Sequence, residues 1–482
     1  MYVHKTEVFV LSRIFQSRLN LSLINFGPTN KLITSLFNIS NSTVSLQDIY
    51  ICGPFNNNIS LIELYSSTTI VSQLTATHLT SSLLSSYTSY ITFIDLIIDN
   101  SAADWLVVLY SSHSSLLNAS ISSFYSPSGN STIYATSSTI TCDNLLLDQY
   151  TSSSFLILCN SSGSLFNFRL IEVQSSTSLV QLFNSTIQID NVASVNIDLF
   201  LLIKLDLSHL YCQSLSFVGS QINSVILSHN SHVFLSDLLF ENVSIEDTFA
   251  MVTNSVLNTM SLSFVNSKLA AVIKSYGSVV DLNLVDLQSV SFIISILPSS
   301  VFIASNSRIV LSNFYADVMD ITMINSTDST ISCLHVEISS SNADILYYIA
   351  SSSFTILDSE FFNVSTVFLH SFNSVSILHR VHILNTTSSL KNYLAANTFD
   401  INSSNLTTTQ LSVNHIKCYN FFHSTNSSLT LEGGNFSNLL SNSVFNCTKT
   451  FLQSNTVSFM YLTLSDTFMT VNDSSFLYPY GL

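Results

Sequence analysis

NSHVFLSDLLFENVSI, residues 230–245, alternates apolar and polar residues, stops alternating for two residues, and then resumes. Val233 and Leu235 form one apolar pair, Leu238 and Phe240 the next, and Ser236 and Asp237 stand between them. A period of two is the signature of a half-buried strand. Two polar residues inserted into it place a corner between two short strands. The resulting frame is h-x-h-x-x-h-x-h, with h apolar.

The same frame fits STITCDNLLL (Ile140, Cys142, Leu145, Leu147), SLFNFRLIEV (Phe166, Phe168, Ile171, Val173) and HLYCQSLSF (Leu210, Cys212, Leu215, Phe217). It returns in TISCLHVEI (Ile331, Cys333, Val336, Ile338) and NTVSFMYLTL (Val457, Phe459, Leu462, Leu464), with shorter matches from Val44, Ile91, Ile187, Ile309 and Phe354. The recurrence, roughly every 23 residues, lies in the range of solenoid repeats. Spacing is irregular near Met260, Val375 and Leu406, where longer loops are expected. A second apolar segment precedes each frame, as in WLVVLYSS, FLILCNSS and DILYYIASSS, so each repeat holds about three short strands. Val, Ile, Thr, Phe and Tyr favour strands. Ser, Thr and Asn are poor helix formers.

A chain that turns every few residues buries its apolar face by winding into coils, each paired in parallel with the next about 4.8 Å away. The predicted fold is all-β, a right-handed parallel β-helix solenoid of some 17–18 coils, on the order of 85 Å long. Residues 1–31, with Lys5, Arg13, Arg18 and Lys31, are assigned to an N-terminal segment and cap; residues 32–482 form a single solenoid with an uncapped C-terminal end beyond Pro479. That edge is expected to self-associate, because exposed strand edges invite pairing.

Only 9% of the 482 residues are charged, and the formal net charge is −16. Typical soluble domains carry about 25% charged residues. The surface must therefore be built from Ser, Thr and Asn, and these must also make most turns, since Gly totals 9 and Pro 5. The acidic balance argues against nucleic acid, which needs a basic stripe, and against an anionic membrane surface. No apolar run approaches the roughly 18 residues of a membrane span. Glu7 and Arg13 interrupt the N-terminal apolar residues, which makes a poor signal peptide. Seven Cys are scattered without C-x-x-C spacing; Cys142, Cys212 and Cys333 fall on apolar positions and read as small buried hydrophobes.

On this coil pattern the chain resembles the right-handed parallel β-helix proteins of the pectin-lyase-like kind. It is also similar to large Ser/Asn-rich protist surface proteins and, more distantly, to polymorphic membrane proteins. The likeness rests on the coil pattern and on the F-x-N endings Phe240/Asn242, Phe264/Asn266, Phe361/Asn363 and Phe436/Asn438; the polymorphic family's own motifs are F-x-x-N and G-G-A-[ILV], to which only EGGN at Gly433 and Gly434 comes near. The resemblance implies a cell-surface or secreted repeat protein that binds a protein or carbohydrate ligand.

No element of the catalytic signatures of pectin-cleaving β-helices is present; the nearest fragment is NSTDST around Asp328, which a turn explains equally well. His379 and His382, with His370 one segment earlier, form the one local histidine cluster, too few for a metal without further ligands. Trp105 reads as partly buried in the wall. No catalytic, cofactor-binding or metal-binding residue is assigned, and no cofactor is expected. About eighteen N-x-[ST] sequons occur, among them Asn130, Asn160, Asn184, Asn325 and Asn426, against roughly thirteen or fourteen by chance. NS also recurs where no sequon follows, at Asn230, Asn306 and Asn373, so the turn itself wants Asn.

The expected function is a non-enzymatic surface or secreted stalk that presents loops for adhesion. The alternatives are a carbohydrate-active β-helix enzyme and a leucine-rich-repeat binding protein. Stacking is further expected to set Arg169 between Asp143 and Asp190 of the neighbouring coils. Burial at the frame positions gives a first test: Cys212→Asp should cost several kcal/mol in a chemical-denaturation curve or force protonation of the acid, whereas Cys212→Val should be mild. Equal stability of the two variants would place Cys212 outside the core.

Overall fold

The computed structural model describes residues 2–3, 12–26, 35–53, 60–103, 105–126, 131–293, 300–318, 321–341, 343–364, 367–387 and 397–477. Lys5, Lys31, Asn130 and Pro479 lie outside the described residues. The chain divides into two compact units, residues 1–244 and 245–482. Between them they hold a parallel β-solenoid of about 18 turns, spaced about 23 residues apart. The described residues contain no helix, whereas a leucine-rich repeat is expected to carry a helix or 3₁₀ segment in each turn.

In the first unit the opening stretch behaves as its pattern requires. His232–Glu241 pairs in parallel with His209–Val218, which pairs with Thr186–Val195. Ile187, Leu210 and Val233 form one inward column, and Ile189, Cys212 and Leu235 the next. Ser236 and Asp237 turn the chain, Asp237 with a left-handed φ of 55°. The second unit repeats the arrangement, for example Ile309, Ile331 and Phe354, then Leu311, Cys333 and Ile356. Cys142, Cys212 and Cys333 are at most 2% exposed; burial pushes the Cys142 thiol up to about 12 and the other two higher.

Three corners recur per turn, each marked by a left-handed residue: Asn41, Asp48 and Gly53, or Asn184, Asn191 and Asn196, or Asn230, Asp237 and Asn242. Asn and Asp adopt this conformation more readily than other side chains. Wherever both corners are left-handed, the second follows the first by seven residues and the third follows the second by five. All variation in turn length falls in the remaining segment, from ten residues between His78 and Thr88 to eighteen between Asn385 and Ser403. The F-x-N endings are third corners: Phe240, Phe264, Phe361 and Phe436 are buried, and Asn242, Asn266, Asn363 and Asn438 are left-handed.

Immediately after the first corner comes a buried serine. In the first unit these are Ser42, Ser67, Ser89, Ser112, Ser138, Ser161, Ser185, Ser208 and Ser231, with the exposed Ser17 at the start of the series. From Ser17 to Ser208, each backbone N–H donates to the Oγ of the serine one turn on, at 3.0–3.2 Å. Each Oγ in turn donates to the carbonyl two residues before it, at 2.7–2.9 Å. The second unit continues the device from Ser255 through Ser278, Ser307, Ser329, Ser352, Ser374 and Ser404 to Ser427, and Thr450 donates likewise to Ser474.

Two frame assignments need correction. In SLFNFRLIEV the inward positions are Gly163, Leu165, Phe168 and Leu170, which register with Ile140, Cys142, Leu145 and Leu147 of the previous turn. A glycine at the first position hid it from a search for apolar residues. A Cβ there would stand 2.9 Å from Leu158 Cδ1, so a larger residue would require that side chain to move. NTVSFMYLTL straddles the third corner, at Tyr461, instead of the second; both corners interrupt the alternation by two residues, so the frame cannot tell them apart.

The predicted Arg169 stack fails for the same reason. Asp143 and Asp190 both register with Phe166, while Arg169 registers with Leu146 and Ala193. Asp143 accepts from Asn167 at 3.0 Å instead. Arg169 overlooks a shallow groove of about 510 Å³ lined also by Asn144, Asn167 and Asn191.

Two substitutions test the corner. Ser208→Ala removes the acceptor of the Ser185 N–H and should cost about 1–3 kcal/mol in urea denaturation, against no more than about 0.5 for the outward Ser216→Ala. Leu207 occupies a left-handed first corner with φ 52°, between Asn184 and Asn230 in the adjacent turns. Leu207→Asn should stabilise by about 1 kcal/mol, and a lower melting temperature would count against strain at this position.

Candidate functional site

The variable segment ends in a strand that leads into the first corner. In the second unit five such strands are Ile345–Ala350, Val367–Phe372, Phe399–Asn402 and the ends of Ser412–Thr425 and Asn435–Thr448. Their inward residues Leu369, Phe399, Phe422 and Phe445 lie in one column, with Phe399 on Phe422 at 5.0 Å and Phe422 on Phe445 at 5.4 Å between ring centres. This aromatic stack fixes the backbone beneath the outward column Tyr348, His370, Asp400, His423 and Asn446.

Asp400 sits between two imidazoles from the turns on either side. His370 Nδ1 lies 3.0 Å from Oδ2, and His423 Nδ1 2.8 Å from Oδ1. Asn402 Nδ2 adds a longer contact of 3.4 Å to Oδ1. Tyr348 stacks on His370 with ring centres 5.3 Å apart and planes within 5°. The side chain of Asp400 is 22% exposed, those of His370 and His423 25% and 33%. Burial by itself would raise the carboxyl; the hydrogen bonds and charge of the two histidines outweigh it and hold Asp400 well below the usual carboxylate range. An ionised carboxylate only accepts, so both Nδ1 atoms donate to it. A histidine oriented through Nδ1 by an acid is the arrangement that serves proton transfer.

The sequence-level histidine cluster divides. His370 joins this column, whereas His379 registers with Leu357 and Thr409, and His382 with Glu360 and Ser412. Asp400 and His423 were not singled out, since 30 and 53 positions separate them from His370 and no local motif joins them. Among the described residues no group of three or more His, Cys, Asp or Glu is arranged to hold a metal ion. Asp328 is a first corner. Trp105 is half-buried, with its ring edge-on to Tyr134 at 5.4 Å. Tyr65, Tyr87 and Tyr110 stack at 5.0 Å intervals, which covers both ring faces of Tyr87 and one face each of Tyr65 and Tyr110.

No family model matches the chain, and no curated protein does; the likeness to protist surface proteins and polymorphic membrane proteins finds no support there. Solved structures similar to it include the alginate lyase AlyGC of the PL6 family, at 9% identity and TM-score 0.22, covering 98% of both chains. The tailspike protein of E. coli bacteriophage HK620, solved with a hexasaccharide, matches at 10% identity and TM-score 0.21 over 86% of this chain and 71% of its own. The A-module of the Azotobacter vinelandii mannuronan C-5 epimerase AlgE4 matches at 9% identity and TM-score 0.11, covering 89% of this chain and 91% of that one. These scores are low, and the fold rests on the register pairs and corners. They define an all-β parallel solenoid with three corners per turn.

The Asp400 column has a pH signature. A carboxyl depressed in the folded state adds stability above its unfolded pKa of about 3.9 and loses it as pH falls through the folded value. Asp400→Asn should therefore be less stable than the parent at pH 5, and the gap should close as pH is lowered toward 2. A gap that stays constant in urea melts across that range would remove the carboxylate from the account.

Proposed function

We propose that this chain is a non-enzymatic, surface-exposed or secreted β-helical stalk that presents loops for binding a protein or carbohydrate. One observation carries the reading: turn length varies in only one of the three segments between corners, with the spacings of seven and five residues held in both units. Such a coil admits sequence of differing length along one line of its wall and keeps the rest as support. The sparsely charged Ser/Thr/Asn surface agrees with an extracellular setting, and the exposed first-corner residues Asn160, Asn184 and Asn426 offer room for glycans.

The Asp400 column favours a second reading, a carbohydrate-active enzyme in which His370 or His423 transfers the proton. The two separate cleanly. Protease treatment of intact cells, followed by mass spectrometry, should release peptides of this chain before lysis; recovery only after lysis would reject surface display. The purified chain should leave neutral and uronic-acid polysaccharides uncleaved. Release of unsaturated or reducing ends that is lost in Asp400→Asn would establish the enzyme instead.

A further inference from the structure

His209 and His232 occupy one outward column on adjacent turns of the first unit, in direct register. Their rings are parallel within 12°, with centres 5.0 Å apart. Both side chains are exposed, and neither has a hydrogen-bond or ion-pair partner among the described residues. Each follows a ladder serine, Ser208 and Ser231, whose hydrogen bond at 3.0 Å ties the two turns together at this corner. The backbones that carry the imidazoles are thus held at fixed separation, while the rings themselves are free to turn.

We propose that His209 and His232 form a two-histidine clamp for a divalent transition-metal ion of the zinc type. Imidazole suits such ions. Zn–N bonds of about 2.0–2.1 Å in tetrahedral geometry set the two nitrogens about 3.3 Å apart. Parallel strands about 4.8 Å apart are no wider than the roughly 5–6 Å between Cβ atoms at helical positions i and i+4, the spacing by which an H-E-x-x-H helix grips zinc. A modest turn of each ring about χ2 brings a nitrogen of each to the ion. Water completes the coordination, so the site is exchangeable and is not a folding centre. The protein's net charge of −16 favours cation approach. Thr186 flanks the pair in the preceding turn and offers no competing charge.

Calorimetric titration of the intact chain with Zn²⁺ alone tests the clamp. The parent should show a site that weakens at least tenfold in His209→Ala and equally in His232→Ala, with the double variant no weaker than either single one, because a clamp is lost with its first jaw. Both side chains are exposed, so the variants should keep the parent circular dichroism. A parent-like isotherm in either single variant, or additive loss in the double variant, would show separate histidines binding independently and overturn the proposal. Absence of zinc binding to the parent would do the same.

Discussion

The serine that follows each first corner is the constraint on which the coil depends. A corner turns the backbone out of its ladder, so its N–H would be buried without a partner, at a cost of about 1–3 kcal/mol. Serine resolves this with one atom group. Its hydroxyl accepts the N–H from the neighbouring turn and donates to its own strand's carbonyl, as at Ser185, Ser208 and Ser231. Alanine could do neither, and asparagine is too large for a position 1% exposed at Ser208. Because every serine is both donor platform and acceptor, each turn's corner is aligned to the next. The side-chain columns then inherit that alignment, which is why Phe217 lies on Phe240 at 5.1 Å with planes within 4°.

In-register stacking also accounts for the scarcity of charge. A residue on the outer wall has its column neighbour about 4.8 Å away, and like charges directly opposite one another are destabilising. A repeating acid or base would meet itself on every turn. Neutral amides and hydroxyls can instead bond along the column, as Asn191 does to Asn167 at 2.7 Å and Asn184 to Asn160 at 2.8 Å. Where charge does occur, it often finds a complement: Arg380 on Asp358, Lys274 on Asp247, Asp400 between two histidines. Glu337 over Glu360 is an exception, at exposed positions that water screens.

How much of this is legible in the sequence depends on distance along the chain. Val233, Leu235, Leu238 and Phe240 declare strand, corner and strand because the relevant period is two and the interruption is local. The F-x-N endings are visible for the same reason. The ladder is half visible: NS recurs, but attention falls on Asn, which varies to Gln16, Ser66, Thr88 and Leu207, while the serine beside it persists. Register is where local reading fails. Gly163 breaks the apolar frame, and two corners with identical interruptions let a frame slide, so Arg169 is placed three residues from its true column.

The Asp400 column shows the limit most plainly. His370, Asp400 and His423 come from three turns, and the interval from His370 to Asp400 includes the longest variable segment, so no fixed spacing announces them. What brings them together is the constancy of the rest of the coil. Insertions between the third and first corners leave the first corner and its serine in place, and the strand just before that corner is held at constant offset from it: Asp400 precedes Ser404 by four residues, as His370 precedes Ser374 and His423 precedes Ser427. The serine ladder therefore sets the register of the outward column as well as the core. A chain built this way can change length beside its candidate site without moving the side chains that compose it, which separates the freedom to vary loops from the precision that a hydrogen-bonded column requires.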